Sequence, residues 1–502
     1  MHLSDLLKHL ADIPDQAASI SISGMSENSR AIKPGDLFVA VAGSSTDGRN
    51  YIKAAIDAGA SAILTDMRPL EASLDDLAIP VIMVENPRLV LAKAAARFWR
   101  KQPGMIAAVT GTNGKTSTTD FLRQLWTRVT WQAASIGTLG VKGTNTRKMD
   151  GKILDLPKLT TPDSVSLHSA LAPLCGAGVT HLALEASSHG LVQQRLDGLN
   201  IHIAAFTNLT QDHLDHHEDM ESYFIAKSRL FTDLLMHTGA AIINIDDPYG
   251  RRLCDMLTAQ DDTRQIVIKT FGFADDADFQ IEKITPVDNI LEMSINHDGD
   301  SWHIPLAMSG TFQALNALTA AIMAHMSGLP LQDSLGGLAY LKPAPGRMQT
   351  VTGHPKGAQI VVDFAHTPDA LRAALEALRP EVSNKLYVLF GCGGDRDPSK
   401  RAMMGEIANE AADVIIVTDD NPRSEDPASI RAAIMAASPK SIEISPRDTA
   451  IKTALEQLEA GDVLLIAGKG HETVQLIGDE TLPFSDISVA SRIIADMPEA
   501  QA

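Results

Sequence analysis

One stretch early in the chain combines a strand, a glycine-rich turn and a helix, and it restricts the fold more than any other feature. The apolar run 106–109 is typical of a buried parallel strand. The pattern after the turn predicts a helix with Phe121, Leu122 and Leu125 on one apolar face. This order of elements is the layout of a phosphate-binding loop in a parallel α/β sheet.

The turn has the sequence Gly-Thr-Asn-Gly-Lys-Thr-Ser over residues 111–117. Its glycines let backbone N–H groups approach phosphate oxygens, Lys115 adds a positive charge, and the Thr116 hydroxyl can ligate Mg²⁺. The general nucleotide-loop pattern has glycine where this chain has Val109, so the loop is a short variant. The alternative is a glycine turn with a chance Lys-Thr pair, which the flanking strand and helix disfavour. We therefore predict nucleotide binding by Gly111, Thr112, Asn113, Gly114, Lys115, Thr116 and Ser117.

The overall composition excludes several classes of protein. The 502 residues suffice for about three domains of typical size. Lys and Arg total 43 against 62 Asp and Glu, a formal charge of −19, which argues against a broad surface for nucleic acid or anionic membranes. The three cysteines lack metal-site spacing, and no apolar run has the length that spans a membrane. Because the N-terminus lacks a signal-peptide pattern, we expect a soluble cytoplasmic protein.

Apolar strands that end in polar clusters recur along the chain, and two segments with proline and glycine divide it. We predict an N-terminal domain over 1–103, a central domain over 104–340 and a C-terminal domain over 341–502. Alternating strands and helices predict an α/β fold, with a central parallel sheet of the P-loop ATPase type and a doubly wound, Rossmann-like C-terminal domain.

Ligands of open α/β sheets bind at the carboxyl ends of the strands. The repeated clusters therefore indicate an ATP-using enzyme that joins substrates held by separate domains, rather than a regulatory ATP switch.

Two clusters of the central domain could bind Mg²⁺, which prefers hard oxygen ligands. Glu185 follows one strand and forms a suitable pair with Thr116, whereas His213 lies among acids after the next strand. An isolated histidine at a strand end is more often bonded to backbone, so the residues alone leave His213 open. Lys227 lies in an amphipathic helical pattern, and the residues alone indicate a solvated surface lysine.

Two arginines of the C-terminal domain, Arg396 and Arg423, come after predicted strands. Forked guanidinium groups can clamp a carboxylate, so a second substrate is expected to carry one. The run 420–422 before Arg423 is also ordinary turn chemistry.

Taken together, these clusters resemble the Mur ligase family of peptidoglycan synthesis. The matching segments occur in order over nearly the whole chain, at 110–117, 160–162, 185–191, 208–217, 223–231, 345–347, 363–368, 391–396 and 468–472. The resemblance implies that a D-glutamyl γ-carboxylate takes the γ-phosphate of ATP, and that an amine then displaces phosphate from the acyl phosphate. Within the family, the chain is most similar to members that add the third peptide residue. The run 420–423 resembles the form that uses meso-diaminopimelate rather than L-lysine.

The resemblance also implies roles for single residues. Lys115 and the loop would hold the ATP phosphates, Thr116 and Glu185 one Mg²⁺, and His213 another. Lys227 matches the family's carbamylated lysine, in which CO₂ converts the amine into an anion that supports the second metal. This assignment replaces the surface-lysine interpretation. The catalytic set is then Lys115, Lys227, His213 and Glu185, and the metal set is Thr116, Glu185, His213 and Lys227 as carbamate.

The remaining matched positions form three groups. Those for the UDP-sugar peptide are Ser29, Ser44, Ser45, Thr46, Thr160, Thr161, Ser187, Gln193 and Arg195. Those on the ATP side are Asn316, Arg347 and Asp363, and those for the amino acid are Arg396, Asp420, Asn421, Pro422, Arg423, Gly468 and Glu472. The chain departs from the family pattern with Asn28 where Asp often precedes Ser29, and with Gln313 where Asn often precedes Asn316, near the expected adenine contact.

The implied partners are a UDP-N-acetylmuramoyl dipeptide and meso-diaminopimelate, with ATP and Mg²⁺, and a monomer is expected. A lysine-adding relative and a folylpolyglutamate-synthase-like ligase are the nearest alternatives, although the second would not need uridine loops in the N-terminal domain. The alternative from another class is an ATP-dependent regulator without ligation chemistry.

Overall fold

Three β-sheets with helices packed against them, and one small hairpin, form the framework of the computed structural model. The described residues are 1–43, 46–68, 77–143, 156–157, 159–211, 217–259, 264–287 and 290–498. The α/β fold class is confirmed, and each predicted domain contains one of the three sheets, although the domain boundaries stay a prediction. Within the described ranges, no helix combines the length and apolar character needed to cross a bilayer.

The N-terminal sheet is parallel and has the strand order β1–β2–β3–β4. Strand β2 is buried along its whole length, as expected when both faces of a parallel sheet are covered. The elements are β1 (Gly24–Ser26), β2 (Asp36–Ala40), β3 (Ala62–Asp66), β4 (Val81–Val84), α1 (Leu3–Leu6), α2 (Ile52–Asp57) and α3 (Pro87–Trp99).

The central sheet has the strand order β14–β13–β12–β11–β10–β9–β5–β8–β6–β7. The strands from β12 to β6 in this order are parallel, whereas β7, β13 and β14 are antiparallel additions at the edges. Its strands are β5 (Met105–Thr110), β6 (Ala133–Gly137), β7 (Gly140–Gly143), β8 (His181–Glu185), β9 (Ile201–Phe206), β10 (Leu235–Asn244), β11 (Val267–Gly272), β12 (Phe279–Val287), β13 (Ile290–His297) and β14 (Asp300–Leu306). Its helices are α4 (Lys115–Arg128), α5 (Ser164–Gly176), α6 (Ser188–Val192), α7 (Met220–Arg229), α8 (Pro248–Thr258), α9 (Thr311–Met326) and α10 (Leu331–Gly336).

Helices cover both faces of the parallel part of this sheet. Ala107 and Val109 of β5 lie in the core formed with α4 and α9, whereas Ile106 and Ala108 lie in the core formed with α5, α7 and α8. Successive side chains of a strand point to opposite faces, which explains the continuous apolar run of β5. The glycine-rich loop follows the carboxyl end of this strand, and α4 begins at Lys115 directly after it.

The C-terminal sheet has the order β15–β16–β20–β17–β18–β19, and it is parallel except for β15. Its two faces belong to separate cores, as in a doubly wound fold. The strands are β15 (Gln349–Val351), β16 (Gln359–Asp363), β17 (Leu386–Phe390), β18 (Val414–Val417), β19 (Ile442–Glu443) and β20 (Val463–Ala467), and β21 (Val474–Ile477) with β22 (Glu480–Pro483) forms the separate hairpin. The helices are α11 (Pro368–Leu378), α12 (Ser399–Ala411), α13 (Pro427–Met435), α14 (Arg447–Gln457) and α15 (Asp486–Asp496).

Candidate active site

The conformation of the glycine-rich loop depends on two glycines, and neither position has room for a side chain. Gly111 has φ +151° and Gly114 has φ +89°, and both backbone conformations favour glycine. A Cβ atom at Gly111 would collide with the Thr207 side chain, and one at Gly114 would collide with the Asn316 side chain. Helix α4 then begins without a side-chain cap, so N–H groups of its first turn are available to a phosphate.

Two lysine side chains reach the same carbonyl of this loop. The Lys115 Nζ atom lies 2.9 Å from Gly111 O and 2.8 Å from Thr112 O. The Lys227 Nζ atom lies 2.8 Å from Gly111 O, and Lys227 is only 1% exposed. The interpretation as a solvated surface lysine is therefore wrong. Lys227 follows the buried Tyr223 by one turn of α7, on the same helix face, and its Nζ lies 4.4 Å from the centre of that ring.

Glu185 ends β8 beside the first turn of α4 and is almost fully buried. Its Oε2 accepts hydrogen bonds from the Thr116 hydroxyl and the Thr138 hydroxyl, both at 3.0 Å, and its Oε1 accepts one from Thr138 N at 2.8 Å. Burial raises the pKa of the Glu185 carboxyl, while the positive charge of Lys115 opposes that rise. A Cβ atom at Gly137 would collide with this carboxylate. The two residues predicted to share Mg²⁺ are thus adjacent, and Thr138 is a contributor that sequence reasoning missed.

Few protein ligands are present for the metal among the described residues. No cluster of three or more His, Cys, Asp or Glu side chains in those ranges could hold an ion by itself. The hydroxyl of Thr116 and the carboxylate of Glu185 offer hard oxygen atoms, which fits Mg²⁺ because this ion usually keeps several waters. The predicted ligand His213 lies outside the described residues.

A cavity of about 530 Å³ opens in front of the loop, between the central and C-terminal sheets. Arg347, from the segment before β15, reaches into this cavity with its guanidinium 4.3 Å from the centre of the Phe364 ring. Its Nη2 lies 3.4 Å from the Thr116 hydroxyl, and its Nη1 is buried with no acceptor among the described atoms. A buried cationic donor without an acceptor suits a phosphate oxygen. The loop residues that line the cavity are Thr112, Asn113, Gly114, Lys115, Thr116 and Ser117.

The other residues predicted on the ATP side line the same cavity. Asp363, at the end of β16, accepts a hydrogen bond from Met348 N at 2.7 Å, and burial raises the pKa of its carboxyl. Asn316 of α9 donates to Gln313 Oε1 at 3.0 Å, and Gln313 lies in turn 3.3 Å from Arg347 O. Gln313, which departs from the family pattern, therefore lies within this network.

Four residues predicted for the UDP-sugar peptide lie together beyond the end of β8. The Thr161 hydroxyl donates to Glu185 O at 2.8 Å and lies 3.0 Å from the Ser187 hydroxyl. The Arg195 Nη1 atom donates to Thr161 O at 2.7 Å, and its Nε and Nη2 atoms bond to Gln193 Oε1. Thr160 lines the phosphate-side cavity. Gln193 and Arg195 also line a small pocket with Glu27 and Arg88 of the N-terminal domain, so this cluster continues from Glu185 towards that domain.

The remaining positions of that group belong to the N-terminal domain. Ser29 begins a short 3₁₀ turn after β1, and Thr46 accepts a backbone hydrogen bond from Gly43 in the loop after β2. Ser44 and Ser45 lie outside the described residues. A shared uridine-binding role of these positions stays a prediction.

The residues predicted for the amino acid converge where β18 and β20 end. The Asn421 amide donates to Glu472 Oε2 at 2.8 Å, and Lys469 Nζ lies 2.9 Å from Asn421 Oδ1 and 2.8 Å from Glu472 Oε2. Lys469 is 0% exposed and was not predicted from sequence. At Gly468, φ is +110° and a Cβ atom would press against the Asp420 carboxylate, so glycine is needed there.

The two predicted arginines lie at the same end of the sheet. Pro422 precedes Arg423, whose Nη1 donates to Gly394 O at 2.7 Å, while Arg396 donates to Asp395 O at 3.1 Å. Burial lowers the pKa of Arg423, and the positive charge of Arg396 lowers it further. Two neighbouring guanidinium groups that repel each other favour an anionic ligand between them.

Three family models match the chain: the Mur ligase family catalytic domain over residues 21–99, the Mur ligase middle domain over 109–324 and the Mur ligase glutamate ligase domain over 346–470. The chain belongs to the Mur ligase family, whose members are ATP-dependent amide ligases.

Particular members of the family resemble the chain over nearly its full length. It is 45% identical over 498 residues to a UDP-N-acetylmuramoyl-L-alanyl-D-glutamate--2,6-diaminopimelate ligase of Bradyrhizobium diazoefficiens, covering 99% of both chains. It is 43% identical to the ligase of the same name from Agrobacterium fabrum, covering 96% of this chain and 95% of that one. A solved structure of a ligase with this name is 32% identical and has a TM-score of 0.70, with 99% of both chains covered.

Proposed function

We propose that this chain is an ATP-dependent ligase that adds meso-diaminopimelate to UDP-N-acetylmuramoyl-L-alanyl-D-glutamate in the synthesis of peptidoglycan precursors. The observation that carries the proposal is the cavity that Lys115, Thr116 and Glu185 share with Arg347 and Asp363 of the next domain. One wall is a phosphate-binding loop, and the opposite wall belongs to the domain that carries the arginine pair. The relatives named above support the choice of both substrates.

The chemistry requires an activated carboxylate, because a carboxylate and an ammonium group do not form an amide in water. The γ-carboxylate oxygen of the dipeptide attacks the γ-phosphorus of ATP, and the bond to the ADP oxygen breaks. The ammonium group of the amino acid loses a proton to solvent, and the resulting amine nitrogen attacks the acyl carbon. The carbon–oxygen bond to phosphate then breaks, and a second proton of that nitrogen passes to the released phosphate. Lys115 and Arg347 would neutralise charge on the transferred phosphoryl group, and the loop would fix its position.

Mg²⁺ bound by Thr116 and Glu185 would supply further charge neutralisation at the phosphates. The Glu185 carboxyl suits this role although burial raises its pKa, because the nearby Lys115 favours the ionised form. His213 is proposed as a ligand of a second ion on the basis of its place in the sequence motif.

We also propose that Lys227 is a carbamate in the active enzyme. Its Nζ atom and that of Lys115 both lie within 2.9 Å of Gly111 O, so two ammonium groups here would repel each other. Addition of CO₂ to the neutral Lys227 amine forms a nitrogen–carbon bond and releases a proton, which turns this repulsion into attraction. ¹³C NMR of enzyme with ¹³C-bicarbonate tests the assignment. A carbamate signal that is absent from Lys227→Met supports it, and an enzyme that is active without such a signal contradicts it.

The proposed amino-acid pocket uses Arg423 and Arg396 for the carboxylate that distinguishes meso-diaminopimelate from lysine. Asn421, Glu472, Asp420 and Gly468 would shape the rest of that pocket. A cytoplasmic location and a monomeric state, as predicted from the sequence, complete the proposal, and cell fractionation and light scattering test them.

ADP release is the experiment that tests the proposed reaction. Purified enzyme is given ATP, Mg²⁺, the UDP-muramoyl dipeptide and each member of a panel of amino acids, with single components left out in turn. We expect ADP release only when the dipeptide and diaminopimelate are both present. If ADP release does not depend on the dipeptide, the enzyme uses ATP for a different reaction, and the proposed function is contradicted.

A further inference from the structure

The hairpin β21–β22 pairs with the pocket loop 420–423 rather than with the C-terminal sheet. Its strands pair with each other from Val474↔Pro483 to Ile477↔Glu480, so a two-residue turn joins them. Gly478 begins that turn with φ +56°, as primed hairpin turns require. The hairpin begins two residues after Glu472, which belongs to the proposed amino-acid pocket, and its far end leads into α15.

Four hydrogen bonds join strand β21 and its turn to the loop. Arg423 N donates to Leu476 O at 3.0 Å, and Gly478 N donates to Arg423 O at 2.7 Å. Leu476 N donates to Asn421 Oδ1 at 3.0 Å, and Gln475 Nε2 donates to Asp420 O at 2.6 Å. Three of the proposed amino-acid-binding residues are therefore held by this one strand.

Without the hairpin, the loop 420–423 would not keep the backbone conformation that it has at Arg423. Arg423 has φ +52°, in the left-handed region that residues with a Cβ atom rarely adopt. Both of its backbone polar groups bond to the hairpin, and this fixes the direction in which the guanidinium leaves the chain. Gln475 is 7% exposed, so its amide bond to Asp420 O is shielded from competing water.

We propose that hairpin β21–β22 sets the amino-acid specificity of the enzyme by holding Arg423 in its left-handed conformation, with Gln475 as a positioning residue. The inference rests on the proposed function, because it concerns the same pocket. Gln475 acts through Asp420 and Arg423, and no contact of Gln475 itself with the amino acid is required. Recognition of the distal carboxylate of diaminopimelate then depends on the Gln475 side chain, which lies outside the proposed amino-acid pocket.

Steady-state kinetics of Gln475→Met with diaminopimelate and with lysine test the inference. Methionine has a similar length but no donor for Asp420 O. We expect kcat/KM for diaminopimelate to fall about tenfold, mainly through KM, while kcat/KM for lysine and the KM of ATP stay unchanged. Gln457→Met, at an exposed position of α14, is the matched control and should behave as wild type.

A double variant shows whether Gln475 works through the arginine. Once Arg423→Ala has removed the guanidinium, adding Gln475→Met should change kcat/KM for diaminopimelate by less than about twofold. Independent, additive losses would overturn the inference, and so would an unchanged amino-acid ratio in Gln475→Met. A wild type without preference for diaminopimelate would instead contradict the proposed function.

If Gln475→Met does not fold, amide hydrogen exchange of the wild-type enzyme provides a second test. The backbone amides of Arg423, Leu476 and Gly478 should exchange slowly in the ligand-free enzyme if the hairpin holds the loop before substrate binds. Exchange at the rate of unprotected amides would overturn the inference.

Discussion

Lys227 of helix α7 donates a hydrogen bond to the carbonyl of Gly111, 2.8 Å away, and so joins this helix to the glycine-rich loop. Lys115 bonds to the same carbonyl. The loop conformation and the proposed carbamate are therefore linked: a change at Lys227 would act on the glycine-rich loop as well as on the proposed metal site.

The first prediction concerns Lys227 and CO₂. Lys227→Met should lower kcat about 100-fold or more, because it removes an anion that would support a metal. In buffer depleted of CO₂ the wild type should lose activity and recover it with bicarbonate, whereas the variant should not respond. Full activity of the wild type without CO₂ would contradict the carbamate.

The second prediction concerns the phosphate loop. Lys115→Ala should lower ADP release at least about 10³-fold, since the charge proposed to face the transferred phosphoryl group is lost. Lys93→Ala, on the exposed side of α3, is the control and should keep wild-type activity. Undiminished ADP release by a folded Lys115→Ala enzyme would remove the loop from the mechanism.

The third prediction concerns Arg423 and the choice of amino acid. Arg423→Ala should weaken transition-state binding of diaminopimelate by about 2–5 kcal/mol, as is common when one partner of a buried charge pair is lost. The kcat/KM for lysine and the KM of ATP should hardly change, because lysine lacks the distal carboxylate and the phosphate loop lies in another domain. Arg492→Ala, at an exposed position of α15, is the control. An unchanged ratio of the two amino acids would remove Arg423 from substrate recognition.

The fourth prediction concerns the acid stability of the central domain. Burial on α5 lowers the pKa of His168 to about 4, and its Nε2 has no partner among the described atoms. As the pH falls from 6.5 to about 4, the unfolded chain takes up a proton at this residue while the folded chain stays neutral, so stability is lost over this window. The difference corresponds to roughly 3 kcal/mol.

His168→Gln should therefore lose less of its stability than the wild type between pH 7 and pH 4.5. Thermal melts at the two pH values measure this, with His2→Gln as a control near the N-terminus. An equal loss of Tm in both proteins would show that the charge on His168 does not govern acid unfolding.

The parts of the site that follow a strand directly were predictable from the sequence. Lys115, Thr116 and Glu185 stand where apolar strands end, and strand ends of a parallel sheet meet at one edge. The 3.0 Å hydrogen bond from the Thr116 hydroxyl to Glu185 shows that two of these strand ends do meet. The same reasoning placed Arg396 and Arg423 at one end of the C-terminal sheet.

The parts that depend on tertiary packing were not predictable in this way. A lysine in an amphipathic helix usually faces solvent, and only the packing of α7 under the loop shows that Lys227 is buried. Lys469 and Thr138 act through partners distant in sequence, Asn421 and Glu185. The pairing of Leu476 with Arg423 joins two loops that no local pattern relates.

Transfer of ¹⁸O from the dipeptide to phosphate tests the central claim most directly. The UDP-muramoyl dipeptide is labelled with ¹⁸O in its γ-carboxylate and incubated with enzyme, ATP, Mg²⁺ and diaminopimelate. If the carboxylate attacks the γ-phosphorus, the released phosphate carries one ¹⁸O atom for each amide formed, and the product gains the mass of diaminopimelate less water. Phosphate without ¹⁸O, or ATP turnover without this product, would contradict the account.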